Sequence, residues 1–183
     1  MKKQIFALVL VVAAFAVRAQ QPSTETPKAP ALPKLPVVQN WAAPDVDALQ
    51  DDVYGRLVRY GKKLATETYA VIGPEVKDKK MRYAGNNLAC QSCHENAATK
   101  PYAIPWVGVS ASFPQYRGRE NDVSTVEERV NGCMERSMNG RALPFDSREM
   151  KAFVTYIHFI STGIPIGAKV EGGGTGKFTP PNR

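Results

Sequence analysis

Two cysteines separated by two residues and followed at once by a histidine, Cys90-Gln91-Ser92-Cys93-His94, constrain this 183-residue chain more than any other feature. The pattern is that of covalent haem attachment. Two thiols add across the two vinyl groups, so their spacing must match one edge of the porphyrin. The histidine directly after them then lies beneath the iron as its proximal ligand. Other uses of the same residues fit less well. A redox Cys-x-x-Cys wants a βαβ setting, and none is visible around it. A zinc site made of Cys90, Cys93, His94 and Cys133 would depart from the paired spacing of structural zinc ligands. A disulfide across two intervening residues is rarer still.

The N-terminus indicates where such a group would be attached. Met1-Lys2-Lys3 is followed by an apolar run from Ile5 to Val17 and then by Val17-Arg18-Ala19. A basic start, a short apolar core and small residues before a cut make a secretory signal, here expected to be cleaved after Ala19. The run falls short of the roughly 20 apolar residues of a membrane span, so membrane attachment would require the segment to be retained. No cysteine lies near the cut, which argues against a lipid anchor. The mature chain is expected in the periplasm. Losing Lys2, Lys3 and Arg18 lowers the formal net charge from +7 to +4. That balance does not point to nucleic acid, which calls for a clustered basic face. It suits an acidic partner protein or a small anion.

Residues 20–44 read as a Pro-rich tether, with Pro22, Pro27, Pro30, Pro33, Pro36 and Pro44 keeping the chain extended; its Leu35–Trp41 end has enough apolar side chains to pack back. A domain follows over 45–170, and a Gly- and Pro-containing tail over 171–183 is expected to be flexible. The first helix is predicted from about Asp51 to Glu67, with Val53, Leu57, Tyr60 and Leu64 on one face. Gly73-Pro74 and Gly85-Asn86 mark a connector. The stretch 100–120 is broken by Pro101, Pro105, Pro114 and Gly118. Ser124 or Thr125, with Glu127 and Glu128 three residues on, opens another helix by the capping-box spacing. Val126, Val130, Cys133 and Ser137 share its face. A last helix starts at Asp146 or Ser147, buries Met150, Phe153, Val154, Ile157 and Ile160, and stops by Gly163. No stretch alternates with period two. The expected class is all-α, a single cytochrome c-type domain with long irregular loops round one covalent haem.

The second axial ligand is the open question. Ordinary electron-carrying cytochromes c present a methionine followed by proline just before the last helix. Here Leu143 precedes Pro144, and leucine cannot bind iron. Cys133, Met134, Met138 and His158 remain. Cys133 is the cysteine left over after haem attachment and lies on the apolar face of its helix. It is the leading choice, against the alternative of a buried, inert thiol. Met138 could reach from the helix end, and His158 fits better as a packed core histidine. A thiolate ligand would lower the haem potential. Arg129, one turn before Cys133, would favour the thiolate and could hold an anion bidentately. Arg119 lies just ahead of the same helix. Both arginines could equally be solvated or bind haem propionates.

Several blocks together resemble the catalytic haem domain of the two-haem, tetrathionate-forming thiosulfate dehydrogenases. They are Asn87–His94, Pro105–Val109, Phe113–Arg117, Glu128–Gly140 and the closing run from Leu143 to Gly163, and the resemblance spans roughly Val53–Lys169. More distantly the chain is similar to the cytochrome subunit of the thiosulfate-oxidising multienzyme system. The resemblance implies axial ligation by His94 and Cys133, a thiosulfate site lined by Arg119 and Arg129, and oxidative coupling of thiosulfate to tetrathionate. That family normally carries a second Cys-x-x-Cys-His domain, whereas this sequence has one such motif. A separate redox-partner cytochrome is therefore expected to take the electrons. The alternative is a non-catalytic periplasmic electron carrier.

Overall fold

The computed structural model describes residues 37–174. The expected signal segment, most of the Pro-rich tether and the tail beyond 174 lie outside the described residues. What is described is mostly helical, with two helices forming the frame.

The first, α1 (Val53–Thr66), is started by Asp52, whose carboxylate accepts the Gly55 N–H at 2.7 Å. It ends within a residue of the expected position. Its buried face differs from the expected one. Val53 is 77% exposed, whereas Gly55, Val58, Gly61, Leu64 and Ala65 are buried. The contact is made where α1 has the least side chain. At Gly61 an added Cβ would lie 2.2 Å from the Ala152 carbonyl oxygen and 2.5 Å from Tyr156 Cβ. Glycine therefore lets the last helix come to backbone distance.

A short turn, α2 (Thr68–Val71), follows α1. The haem-motif turn covers Cys90–Ser92 and leads into α3 (Glu95–Ala98), in which Asn96 and Ala97 are left-handed. The stretch 100–120 is broken by its prolines and carries only the single turn α4 (Val109–Ser112) and a three-residue strand at Gln115–Arg117. Helix α5 (Val126–Glu135) opens with the anticipated capping box: Thr125 Oγ1 accepts the Glu128 N–H at 3.3 Å, and Glu128 Oε2 accepts the Thr125 N–H at 2.7 Å. The last helix, α6 (Arg148–Phe159), is capped by Ser147, whose hydroxyl accepts the Met150 N–H at 3.1 Å. Met150, Phe153 and Ile157 are buried on it as expected, together with Ala152 and Tyr156.

Four short strands qualify the all-α expectation. β1 (Val37–Val38) pairs in parallel with β4 (Lys169–Val170), and β2 (Gln115–Arg117) pairs antiparallel with β3 (Asp122–Ser124). Strands of two or three residues are too short to show an alternation in sequence. The β1–β4 pair also folds the end of the tether back on the domain, and Trp41 packs against the core. Residues 171–174, expected in the tail, are hydrogen-bonded: the carbonyls of Gly172 and Gly174 accept from Tyr102 and Ile104.

Buried side chains form two clusters. One gathers Val58, Ala65, Tyr156, Phe159 and Ile160, and the other Leu64, Ile72, Met134, Leu143, Met150 and Phe153. Cys90 and Trp106 pack against both. The motif thus sits on the seam between the two halves of the core. Among the described residues no helix is long and apolar enough to cross a membrane.

Candidate functional site

A cleft of about 260 Å³ opens along this seam. One wall comes from α5, which presents Val126, Arg129, Val130, Cys133 and Met134 at helical spacing. Another comes from α6 through Phe153 and Ile157, and the rim carries Leu88, Cys90, Cys93 and His94. The lining is largely apolar, as a porphyrin face requires.

Cys90 sits half-buried at the core seam. Its N–H donates to Thr68 Oγ1 at 3.0 Å, and its sulfur lies 3.3 Å from the same hydroxyl. Burial pushes its thiol up to about 11, which the Thr68 hydrogen bond only partly offsets. Cys93 is exposed on the outer rim. No disulfide joins the three cysteines. Among the described residues no group of three or more His, Cys, Asp or Glu side chains is placed to hold a metal ion.

His94 is fixed from behind. Its Nδ1 lies 2.6 Å from the Ile104 carbonyl oxygen. A carbonyl only accepts, so Nδ1 carries the proton and Nε2 keeps its lone pair for a metal. The Trp106 ring lies against the imidazole, 5.4 Å between centroids and tilted by 54°. Trp106 is in turn packed edge-on against Phe153 and Tyr156. Ile104 is itself left-handed, with φ of 53°, an outlier for a β-branched residue.

Cys133 meets His94 in the same cleft. Arg129, one turn earlier on α5, points an Nη1 donor at the Cys133 sulfur from 2.8 Å. Burial pushes the thiol up. The neighbouring His94 ring and the charge and hydrogen bond of Arg129 outweigh it, so the net shift is downward. The structure thus holds the two thiols of the motif, one oriented imidazole and one thiolate-favouring cysteine round an apolar cleft. This set of groups fits a covalent haem.

The other residues singled out from sequence divide. Met134 and Met138 are buried and line the cleft. His158 is exposed on α6 and lies outside it, which corrects the reading of a packed core histidine: the neighbouring Val154 stripe is itself only half-buried. Leu143 is buried in the core rather than in the cleft wall. Arg119 is exposed on the β2–β3 turn and is not part of the lining. Two residues before it, Arg117 does line the cleft. Its Nε is 3.2 Å from Glu120, which also pairs with Arg136 at 3.2 Å. Gln115 and Arg117 share the inward side of β2, a two-residue alternation that could have picked out Arg117. The Ile104 carbonyl had no signal, because any residue supplies one.

Motif, cleft and paired donors define a c-type cytochrome. Residues 79–166 match the family model described as SoxA/TsdA, cytochrome c domain. It is 37% identical over 131 residues to a thiosulfate dehydrogenase of Psychrobacter arcticus, covering 72% of this chain and 38% of that protein. It is 35% identical over 136 residues to a thiosulfate dehydrogenase of Thiomonas intermedia, covering 73% and 40%. Among solved structures, a thiosulfate dehydrogenase (TsdBA) of Marichromatium purpuratum superposes with a TM-score of 0.68 at 28% identity, over 77% of this chain and 30% of that one. The chain therefore spans less than half the length of these relatives. The cytochrome c domain implies a covalently bound haem c.

Proposed function

We propose that this domain oxidises thiosulfate, joining two thiosulfate ions into tetrathionate, and hands the electrons to a separate cytochrome. The observation that carries the proposal is the Arg129 guanidinium 2.8 Å from the Cys133 sulfur, inside the cleft that also contains His94. An electron relay has no use for an anion-binding guanidinium at its axial sulfur. The thiosulfate dehydrogenase relatives support the same substrate.

Cys90 and Cys93 would hold the haem by thioether bonds, and His94 and Cys133 would be its axial donors. When bound, the haem supplies a sink for one electron at a time. The chain does the rest. Ile104 keeps His94 in the tautomer that donates through Nε2. Arg129 favours the thiolate of Cys133, and with five N–H donors it has others free for an oxyanion. Two thiosulfate dianions repel each other, so bringing them together needs fixed positive charge. Arg129 and Arg117 supply it at the cleft, and Arg119 on the adjoining turn would add to it. In the overall step one S–S bond forms between the outer sulfurs, two electrons leave, and no proton moves. The 1–19 segment would direct export to the periplasm.

Full-length holo-protein with thiosulfate and an artificial electron acceptor should form tetrathionate. Arg129→Ala should lower turnover by roughly 100-fold, the cost of losing one preorganised donor. Absence of tetrathionate, with an artificial acceptor and with an added periplasmic cytochrome, would overturn the proposal in favour of a non-catalytic carrier.

A further inference from the structure

The carbonyl that orients His94 belongs to a segment the backbone cannot hold by itself. Tyr102 and Ile104 both have positive φ, 64° and 53°. Non-glycine residues stay in this region only where their surroundings fix them. On one side the Ile104 carbonyl is tied to His94 Nδ1 at 2.6 Å. On the other, the Ile104 N–H donates to the Gly174 carbonyl at 2.9 Å, and the Tyr102 N–H to the Gly172 carbonyl at 2.6 Å. Gly172 is pressed so closely on Pro101 that an added Cβ would lie 2.6 Å from Pro101 Cβ and 3.1 Å from its Cα.

The segment that supplies these carbonyls is anchored upstream. Gly167 N–H donates to the Ala111 carbonyl at 2.7 Å, and Glu171 N–H to the Val38 carbonyl at 2.8 Å. β4 pairs with β1, and Val170 Cγ2 fills the space where Gly108 lacks a Cβ, 2.8 Å from that position. Residues 167–174 therefore run as a strap from the tether end, across the 108–111 turn, to the loop behind the proximal histidine.

We propose that this strap positions His94: Gly172 and Gly174 fix the Ile104 carbonyl, and through it the strength of the hydrogen bond to Nδ1. The inference rests on His94 as proximal ligand and does not depend on thiosulfate being the substrate. A firmly held Nδ1–H makes the imidazole a stronger donor, and a stronger donor favours ferric iron and lowers the potential. Loosening the strap should act in the opposite direction.

The test is the midpoint potential of full-length holo-protein carrying Gly172→Ala, which drives a Cβ into Pro101. Gly163→Ala is the control, because Gly163 has a similar φ of 83° with nothing within 4 Å of an added Cβ. The expected result is an upward shift of potential in Gly172→Ala and the parental potential in Gly163→Ala. Equal potentials in both variants would overturn the proposal. Amide exchange in the unsubstituted holo-protein gives a second reading that needs no variant. The Tyr102 and Ile104 amides should be protected, and exchange at free-loop rates would overturn it as well. Both readouts are independent of turnover.

Discussion

Replacing Asn131 by alanine should destabilise the domain by about 2–4 kcal/mol, although the side chain touches no ligand. Asn131 is buried on α5, two residues before Cys133. It makes both bonds that Leu143 needs: Nδ2 donates to the Leu143 carbonyl at 2.9 Å, and Oδ1 accepts the Leu143 N–H at 2.8 Å. Leu143 is 2% exposed, so water cannot easily take over these bonds. Each orphaned buried group costs about 1–3 kcal/mol. Two of them, with partial relief by local opening, give the figure above. For a domain of this size 1 kcal/mol lowers Tm by roughly 3–5 °C, so a loss of about 10 °C is expected. Thermal and denaturant unfolding of the holo-protein, followed by near-ultraviolet circular dichroism, measures it. Lys151→Ala, exposed on α6, should stay within about 0.5 kcal/mol of the parent. An Asn131→Ala loss no larger than that of the control would refute the reasoning.

Two further substitutions test the frame. Gly61→Ala forces a methyl group against the Ala152 carbonyl, at 2.2 Å before any relaxation, and should cost about 1–3 kcal/mol by overpacking, read as a lower denaturant midpoint. Tyr156 donates its hydroxyl to the Ala97 carbonyl at 2.7 Å, and burial pushes its pKa up to about 12. The unfolded chain therefore ionises this group first, and stability present below pH 10 is lost as the pH rises towards 12, at about 1.4 kcal/mol per unit. Tyr156→Phe should be less stable at pH 7 by about 1 kcal/mol and show a shallower loss between pH 10 and 12. An unchanged alkaline slope in urea titrations would contradict the assignment.

What could be seen in the sequence was whatever is written in side chains at short range. The Cys90–His94 motif, the Thr125–Glu128 capping box and the Met150–Ile157 stripe are all local patterns, and each has its expected place in the structure. The face of α1 was misjudged because its closest contact runs through Gly61, and a count of apolar side chains passes over a glycine. The β1–β4 pair was invisible because two-residue strands joined across some 130 positions carry no local pattern. At the site, helical spacing brought Cys133 and Arg129 together correctly. Arg117 was passed over for Arg119 because the short β2 strand that turns Gln115 and Arg117 inward was not recognised. The hold on His94 could not be read at all, since it comes from a backbone carbonyl and two glycine carbonyls beyond it.

The account turns on Cys133 as the second axial donor. The most direct measurement is the electron paramagnetic resonance and optical spectrum of the ferric holo-protein beside its Cys133→Ala variant. The account predicts a low-spin, thiolate-ligated spectrum that disappears on substitution while the haem stays covalently attached through Cys90 and Cys93. Identical spectra from the two proteins would contradict it.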